Sequence, residues 1–233
     1  MSSNTKPIAN LGEDKLLSCY LPTETQQDRP SEVLITWEKK ALNVYKYENG
    51  APALESQAPQ FKGRVQLFPE AVATGNASLL LQSVRSSDEG EYTCSIRSSA
   101  GQGKVNIQLR AAAFSAPTFK LSNGILTAEA SRWFPQPTVT WMNQTGNVLN
   151  ANTSFTKTSA GIFSIISTLK PVQSSGAYSC RIENNLVIAF SDAVITDTTV
   201  SGRTFFTFNV ASFLPASVYL NVMTSLLCIH YVT

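Results

Sequence analysis

The chain has 233 residues, 43% of them hydrophobic and 15% charged, a composition that folds and a length that suits one or two domains. Its formal charge is +2 and its longest basic run is Lys39-Lys40, so it has no phosphate-tracking basic stretch and nucleic acid is not an expected partner. A single histidine, His230, removes most histidine-based catalysis and histidine-rich metal sites.

The first fifteen residues, MSSNTKPIANLGEDK, contain no apolar core and do not read as a signal peptide. No long segment then shows a 3.6-residue apolar period. Short alternating runs separated by turn residues dominate, which reads as antiparallel β structure. Leu17, Cys19 and Leu21 alternate, then Val33, Ile35 and Trp37, then Leu79 and Leu81, then Tyr92, Cys94 and Ile96, then Val105, Ile107 and Leu109. Each set turns one face of a strand toward a core and the other toward solvent. Ala111 to Pro117 forms a short break. The scheme then repeats with Leu126, Ala128 and Ala130, with Val139 and Trp141, with Phe163 and Ile165, and with Tyr178, Cys180 and Ile182. After Arg203 no charged residue occurs before Thr233. This apolar end suits a transmembrane span, a lipid-anchor signal or a last piece of core.

Four cysteines occur, Cys19, Cys94, Cys180 and Cys228, and none forms a Cys-x-x-Cys pair. Cys19 and Cys94 each sit in an alternating run. They suit either a disulfide in an oxidising compartment or two buried thiols in a cytosolic β protein. A bridge closing so long a loop would contribute roughly 4.5 kcal/mol in the chain-entropy view. Three sequons, at Asn76, Asn143 and Asn152, fit an exported glycoprotein.

The order Cys19, Trp37, Asp88-x-Gly90-x-Tyr92-x-Cys94 is that of an immunoglobulin domain. In that reading Trp37 packs on the bridge between sheets, and Tyr92 bonds back to the chain upstream. Arg64 is placed to pair with Asp88. The stretch from Trp37 to Arg64 leaves room for extra edge strands, which makes the domain variable-type. Trp141, Tyr178 and Cys180 hold matching positions in the second half, but Ala128 stands where the first cysteine belongs. Cys180 is then either a buried apolar residue or half of an intermolecular disulfide. The expected fold is all-β: two tandem immunoglobulin-like sandwiches, variable-type over residues 1–111 and constant-type over 112–200, then a hydrophobic anchor over 204–233.

Four runs carry a resemblance: Leu11-Gly-Glu-Asp14 leading to Cys19, Gly75-Asn-Ala-Ser-Leu79, Ser131-Arg-Trp-Phe-Pro-Gln-Pro-Thr-Val-Thr-Trp141, and Tyr178-Ser-Cys-Arg-Ile-Glu-Asn184. Across residues 11–197 the chain resembles the butyrophilin-related family of T-cell co-stimulatory and co-inhibitory ligands. The resemblance implies a variable-type domain outermost and a constant-type domain nearer the membrane. It implies a plasma-membrane protein that presents its domains outside the cell and meets a protein receptor on T cells. It further implies restraint of T-cell proliferation and cytokine release. The chain departs from the family in its uncharacteristic start and in Ala128.

Variable domains commonly bind through the outer face of the sheet that contains the second cysteine, or through their end loops. The expected outward positions include Thr36 and Glu38, Tyr45 and Tyr47, Thr93, Ser95 and Arg97, and Lys104, Asn106 and Gln108. Tyr45, Tyr47 and Arg97 lead as contact candidates, because tyrosine and arginine dominate interface hot spots. Cell adhesion without a T-cell role is the rival reading. No Gly-x-Ser-x-Gly elbow, phosphate loop or metal-ligand cluster occurs. Neither an enzyme, a cofactor nor a small-molecule substrate is therefore expected.

Overall fold

A computed structural model describes residues 4–20, 33–98 and 101–209. Leu21, Cys228, His230 and the expected anchor beyond Asn209 lie outside the described residues. No helix among the described residues is long and apolar enough to cross a membrane.

Among the described residues the first half folds as ten strands: β1 (Asn4–Thr5), β2 (Ile8–Asn10), β3 (Lys15–Leu17), β4 (Leu34–Lys39), β5 (Leu42–Glu48), β6 (Ala51–Pro52), β7 (Val65–Leu67), β8 (Leu79–Leu81), β9 (Gly90–Ser98) and β10 (Gly101–Ala112). The larger sheet runs β1-β10-β9-β4-β5-β6, with β2 also on β10; the smaller runs β3-β8-β7. Strands β1 and β2 pair parallel to β10 and the remaining neighbours are antiparallel. The alternating apolar residues meet between the sheets. Leu17, Ile35, Trp37, Phe61, Leu79, Leu81, Tyr92 and Leu109 are all fully buried there. Cys19 and Cys94 are bridged across this core, with Cα atoms 6.5 Å apart. Trp37 is fixed by a hydrogen bond from its Nε1 to the Ala77 carbonyl at 3.0 Å.

The second half folds as β11 (Thr118–Ser122), β12 (Ile125–Trp133), β13 (Thr138–Asn143), β14 (Val148–Leu149), β15 (Ala151–Lys157), β16 (Phe163–Leu169), β17 (Ser175–Glu183), β18 (Val187–Thr196) and β19 (Thr199–Phe208). One sheet runs β11-β12-β16-β15 and the other β14-β13-β17-β18-β19. Trp133, Trp141, Cys180, Ile182, Val187 and Ala189 fill its core.

Strand β19 corrects the expected boundary of the tail. Thr204–Phe208, assigned from sequence to an anchor starting at 204, belong to a ten-residue strand on β18. The run alternates: Thr204 and Phe206 are half-buried, whereas Arg203, Phe205 and Thr207 are exposed. Phe119 of β11 packs over Gly202, where an added Cβ would stand 2.5 Å from the ring. Phe206 and Phe208 flank the linker residue Phe114, at ring distances of 5.3 and 5.5 Å.

The two cores meet at the linker, with Ala111 in the first and Ala112 in the second. Asn10 accepts from the Phe114 N–H and donates to its carbonyl, both at 3.3 Å. Arg132 donates to the Leu11 carbonyl, and Ala113 bridges Phe134.

Candidate functional site

The expected contact positions of the first domain refer to the outer face of its larger sheet. Register places its outward residues in rows across β5, β4, β9 and β10. Thr36 lies between Lys46 and Ser95, and Ser95 next to Lys104. Glu38 lies between Asn43 and Thr93, and Thr93 next to Asn106. Arg97 lies between Leu34 and Gln102. The centre is therefore a strip of short hydroxyl side chains, flanked by longer charged ones. Thr93 Oγ1 donates to Asn106 Oδ1 at 3.1 Å, and Lys46 pairs with Glu48 at 2.5 Å. Both charge signs occur, with Arg97, Lys46 and Lys104 set against Glu38, Glu48 and Glu91. Such a mixed polar face suits a protein partner better than a small apolar ligand.

Arg97 stands on this face and is exposed, where sequence placed it. Tyr45 and Tyr47 do not. They are 5% and 7% exposed and belong to the core. The cause is a bulge in β5. Trp37 pairs with Tyr45 and Glu38 with Asn43, so Val44 is an extra residue opposite that step. One inserted residue reverses the parity of the strand. Val44 and Tyr45 are consecutive buried positions, and Lys46 and Glu48 take the outward places expected for tyrosines. Burial also raises the Tyr45 phenol above its ordinary pKa, with Tyr47 adding to it.

Beneath the face the structural motif is complete. Tyr92 Oη donates to the Asp88 carbonyl at 2.9 Å, closing the turn upstream. Arg64 grips the Asp88 carboxylate through two bonds, Nη1 to Oδ1 at 3.3 Å and Nη2 to Oδ2 at 2.5 Å. The Arg85 N–H adds a third at 2.9 Å. Lys39 joins this cluster unexpectedly. Its ammonium donates to the Ser87 carbonyl at 2.5 Å and lies 5.5 Å from the Tyr92 ring centre. Burial lowers the Lys39 pKa, against the pull of Asp88. Gly90 takes φ of +140° with the Lys39 stem 3.2 Å from where a Cβ would be, which explains the glycine in Asp88-x-Gly90.

In the second domain Trp141 donates to Ser167 Oγ at 2.9 Å, and Ser167 shares a 2.7 Å bond with Thr153. The Tyr178 hydroxyl accepts from the Gln173 N–H at 3.0 Å, so it too ties back upstream, as acceptor where Tyr92 is donor. Cys180 is a buried free thiol that burial pushes up to about 12. Register sets Trp141 beside Cys180 as it sets Trp37 beside Cys94. Ala128 lies in the opposite sheet, equally buried.

The sequon asparagines stand away from the polar face. Asn76 leads into β8 of the smaller sheet, its Oδ1 accepting from the Ser78 N–H at 3.0 Å. Asn143 Oδ1 holds the turn after β13, accepting from Thr145 N, Thr145 Oγ1 and Asn147 N at 3.1, 2.8 and 2.9 Å. Asn152 is exposed on β15.

Comparison with known proteins matches these halves separately. The immunoglobulin V-set domain matches residues 2–110, and the Ig-C domain of the butyrophilin subfamily 3 member A2-like type matches residues 120–189. V-set domain containing T-cell activation inhibitor 1 of Mus musculus is 37% identical over 205 residues, 83% of this chain and 71% of that protein. The Homo sapiens protein of that name is 36% identical, covering 83% and 72%. Among solved structures, bovine butyrophilin superposes with a TM-score of 0.52 at 23% identity, covering 85% of this chain and 92% of that one. That likeness concerns the fold.

Proposed function

Because the chain belongs to the family of V-set domain-containing T-cell activation inhibitor 1, whose immunoglobulin domains bind rather than catalyse, we propose that it is a cell-surface ligand that restrains T cells. It engages a protein receptor through the outer face of β10-β9-β4-β5, with Arg97 as the leading contact. The observation that carries this reading is identity to those inhibitors running through both domains rather than through one shared motif. The polar, sequon-free face supports it. Large exposed side chains ring a low centre, which suits a second protein surface. The domains then stand outside the plasma membrane, where the Cys19–Cys94 bridge persists and Asn76, Asn143 and Asn152 carry glycans. The segment beyond Asn209 attaches them to that membrane.

The test coats residues 1–209, secreted behind a grafted leader, beside a T-cell-receptor stimulus and counts dividing T cells. Division falls with the wild-type protein and recovers with Arg97→Glu at unchanged melting temperature. Undiminished division by folded, glycosylated protein would remove the inhibitory reading. Clustering of beads that carry the same protein would then favour adhesion.

A further inference from the structure

We propose that the outer face of β17-β18-β19 is a membrane-docking surface, on which the second domain lies against a phosphatidylcholine bilayer instead of standing on its end. This seating rests on the reading that the apolar segment beyond Asn209 enters the membrane. The direction of the last strand is the first support. Strand β18 begins at the joint between the domains, because Val187 pairs with Phe208 and the Phe208 ring lies 5.5 Å from that of the linker residue Phe114. It runs out to the turn at Asp197, and β19 brings the chain back along its whole length. The Asn209 N–H then donates to the Leu186 carbonyl at 2.9 Å, so the chain is pinned at the joint as it leaves the fold. Apolar residues follow at once, with Val210, Phe213 and Leu214. The stretch of about four residues from Asn209 to Phe213 reaches about 14 Å at full extension, whereas β19 spans about 30 Å. The far end of the domain cannot rest on the membrane while those apolar residues are in it. A side of the domain must.

Which side it is follows from what the sheet exposes. Register lines up Arg181, Phe190 and Phe205 in one outward row, and Ser179, Asp192 and Arg203 in the next. Phe205 is 54% exposed, Val194 44% and Phe190 38%, on a face that a domain surrounded by water keeps polar. Phe119 packs at Gly202 on the inner side of β19 and leaves this outer side bare. Aromatic rings beside arginine stems suit the headgroup layer, where rings enter the acyl boundary and guanidinium groups stay at the phosphates. Arg181 already sits 5.2 Å from the Phe190 ring centre. The charged residues of the three strands are Arg181, Arg203, Glu183 and Asp192, which sum to zero, so a zwitterionic headgroup fits and an anionic one is not required. The sequons agree. Asn143 pairs with Tyr178, toward the far end of the domain, and Asn152 lies on β15 of the opposite sheet. Glycans at both clear the membrane when the domain lies on this face, whereas an end-on seat would press Asn143 onto it.

The experiment reconstitutes the full chain, with Cys228→Ser, into phosphatidylcholine vesicles and places a nitroxide on one introduced cysteine at a time. Cys180 stays unlabelled because it is buried. Ser201→Cys and Thr207→Cys sit toward the two ends of the face, and Ser154→Cys sits on the opposite sheet. Spin resonance reads the collisions of each label with oxygen, which enters lipid, and with a nickel chelate, which stays in water. Both face labels should lose most of their nickel collisions and keep those with oxygen, while the Ser154→Cys label keeps both. Phe205→Glu should return the face labels to the Ser154→Cys pattern at unchanged melting temperature. Face labels as wet as Ser154→Cys on vesicle-bound chain would overturn the docking and leave the membrane segment standing. Chain that separates from the vesicles on flotation would overturn both. A lipid signal at Thr207→Cys alone would reduce the contact to a tether and overturn the docking. Loss of both reagents at the face would place another protein there and overturn it too.

Discussion

Replacing Ala128 with cysteine should restore a bridge that the second domain lacks. The first domain supplies the template, since Cys94 is paired with Trp37 in register and joined to Cys19 on the opposite side of the core. Cys180 holds the same place beside Trp141, and Ala128 is buried in the facing sheet. A bridge between them closes a loop of about 50 residues, which chain entropy values at about 4 kcal/mol. Bridged strands must also settle against Trp141 and Ser167, so about 2–4 kcal/mol is the expected yield, or a rise of roughly 10–20 °C in the domain's midpoint. The assay combines thiol titration in denaturant with calorimetry, in a Cys228→Ser background. The parent shows one reactive thiol, and the variant should show none until reduced. Two reactive thiols in Ala128→Cys would refute the placement of Ala128 opposite Cys180. A formed bridge with an unchanged midpoint would refute the stability argument.

Three further predictions follow from single side chains. Burial pushes the Cys180 thiol up to about 12, so at pH 8 native protein should resist a thiol reagent that modifies the unfolded chain, about one thiol in 10,000 being ionised. The folded pKa exceeds the unfolded one, so this group's contribution is intact below pH 9 and is lost as pH rises from 9 toward 12, visible as a falling urea midpoint. Gly202→Val should cost about 1–3 kcal/mol, because its Cβ meets Phe119 at 2.5 Å, and a double-mutant cycle with Phe119→Ala should be non-additive. Arg64→Ala should lower first-domain stability by about 3–5 kcal/mol in chemical denaturation, because the Asp88 side chain is only 3% exposed and loses its partner charge.

Much of the fold was legible because its signals are local and few. Two cysteines, two tryptophans and the Asp88-x-Gly90-x-Tyr92 turn each have one place in a sandwich, and the structure puts Trp37, Trp141, Tyr92 and the Arg64–Asp88 pair there. The contact face was only half legible. Arg97 lies on β9, whose alternation is unbroken, so counting by twos worked. Tyr45 and Tyr47 lie past a bulge, and nothing in Leu42-Asn-Val-Tyr-Lys-Tyr-Glu48 announces that Val44 is the extra residue. Strand β19 was missed for a different reason. An uncharged aromatic run at the end of a chain satisfies the composition of an anchor as well as that of a strand.

The return of the chain through β19 also changes what the linker does. The residues 113–117 are few, yet shortness alone does not hold two domains. Phe114 is held from both sides, by Asn10 of the first domain through two hydrogen bonds and by the Phe206 and Phe208 rings of the last strand. Arg132 reaches from β12 to the Leu11 carbonyl, and β2, which starts the first domain's contact with the linker, is itself laddered to β10. A bend at this joint must break backbone-directed hydrogen bonds and expose aromatic surface together, so the joint opens as a unit or stays closed. The polar face on β10-β9-β4-β5 and the second domain are thereby fixed to one another.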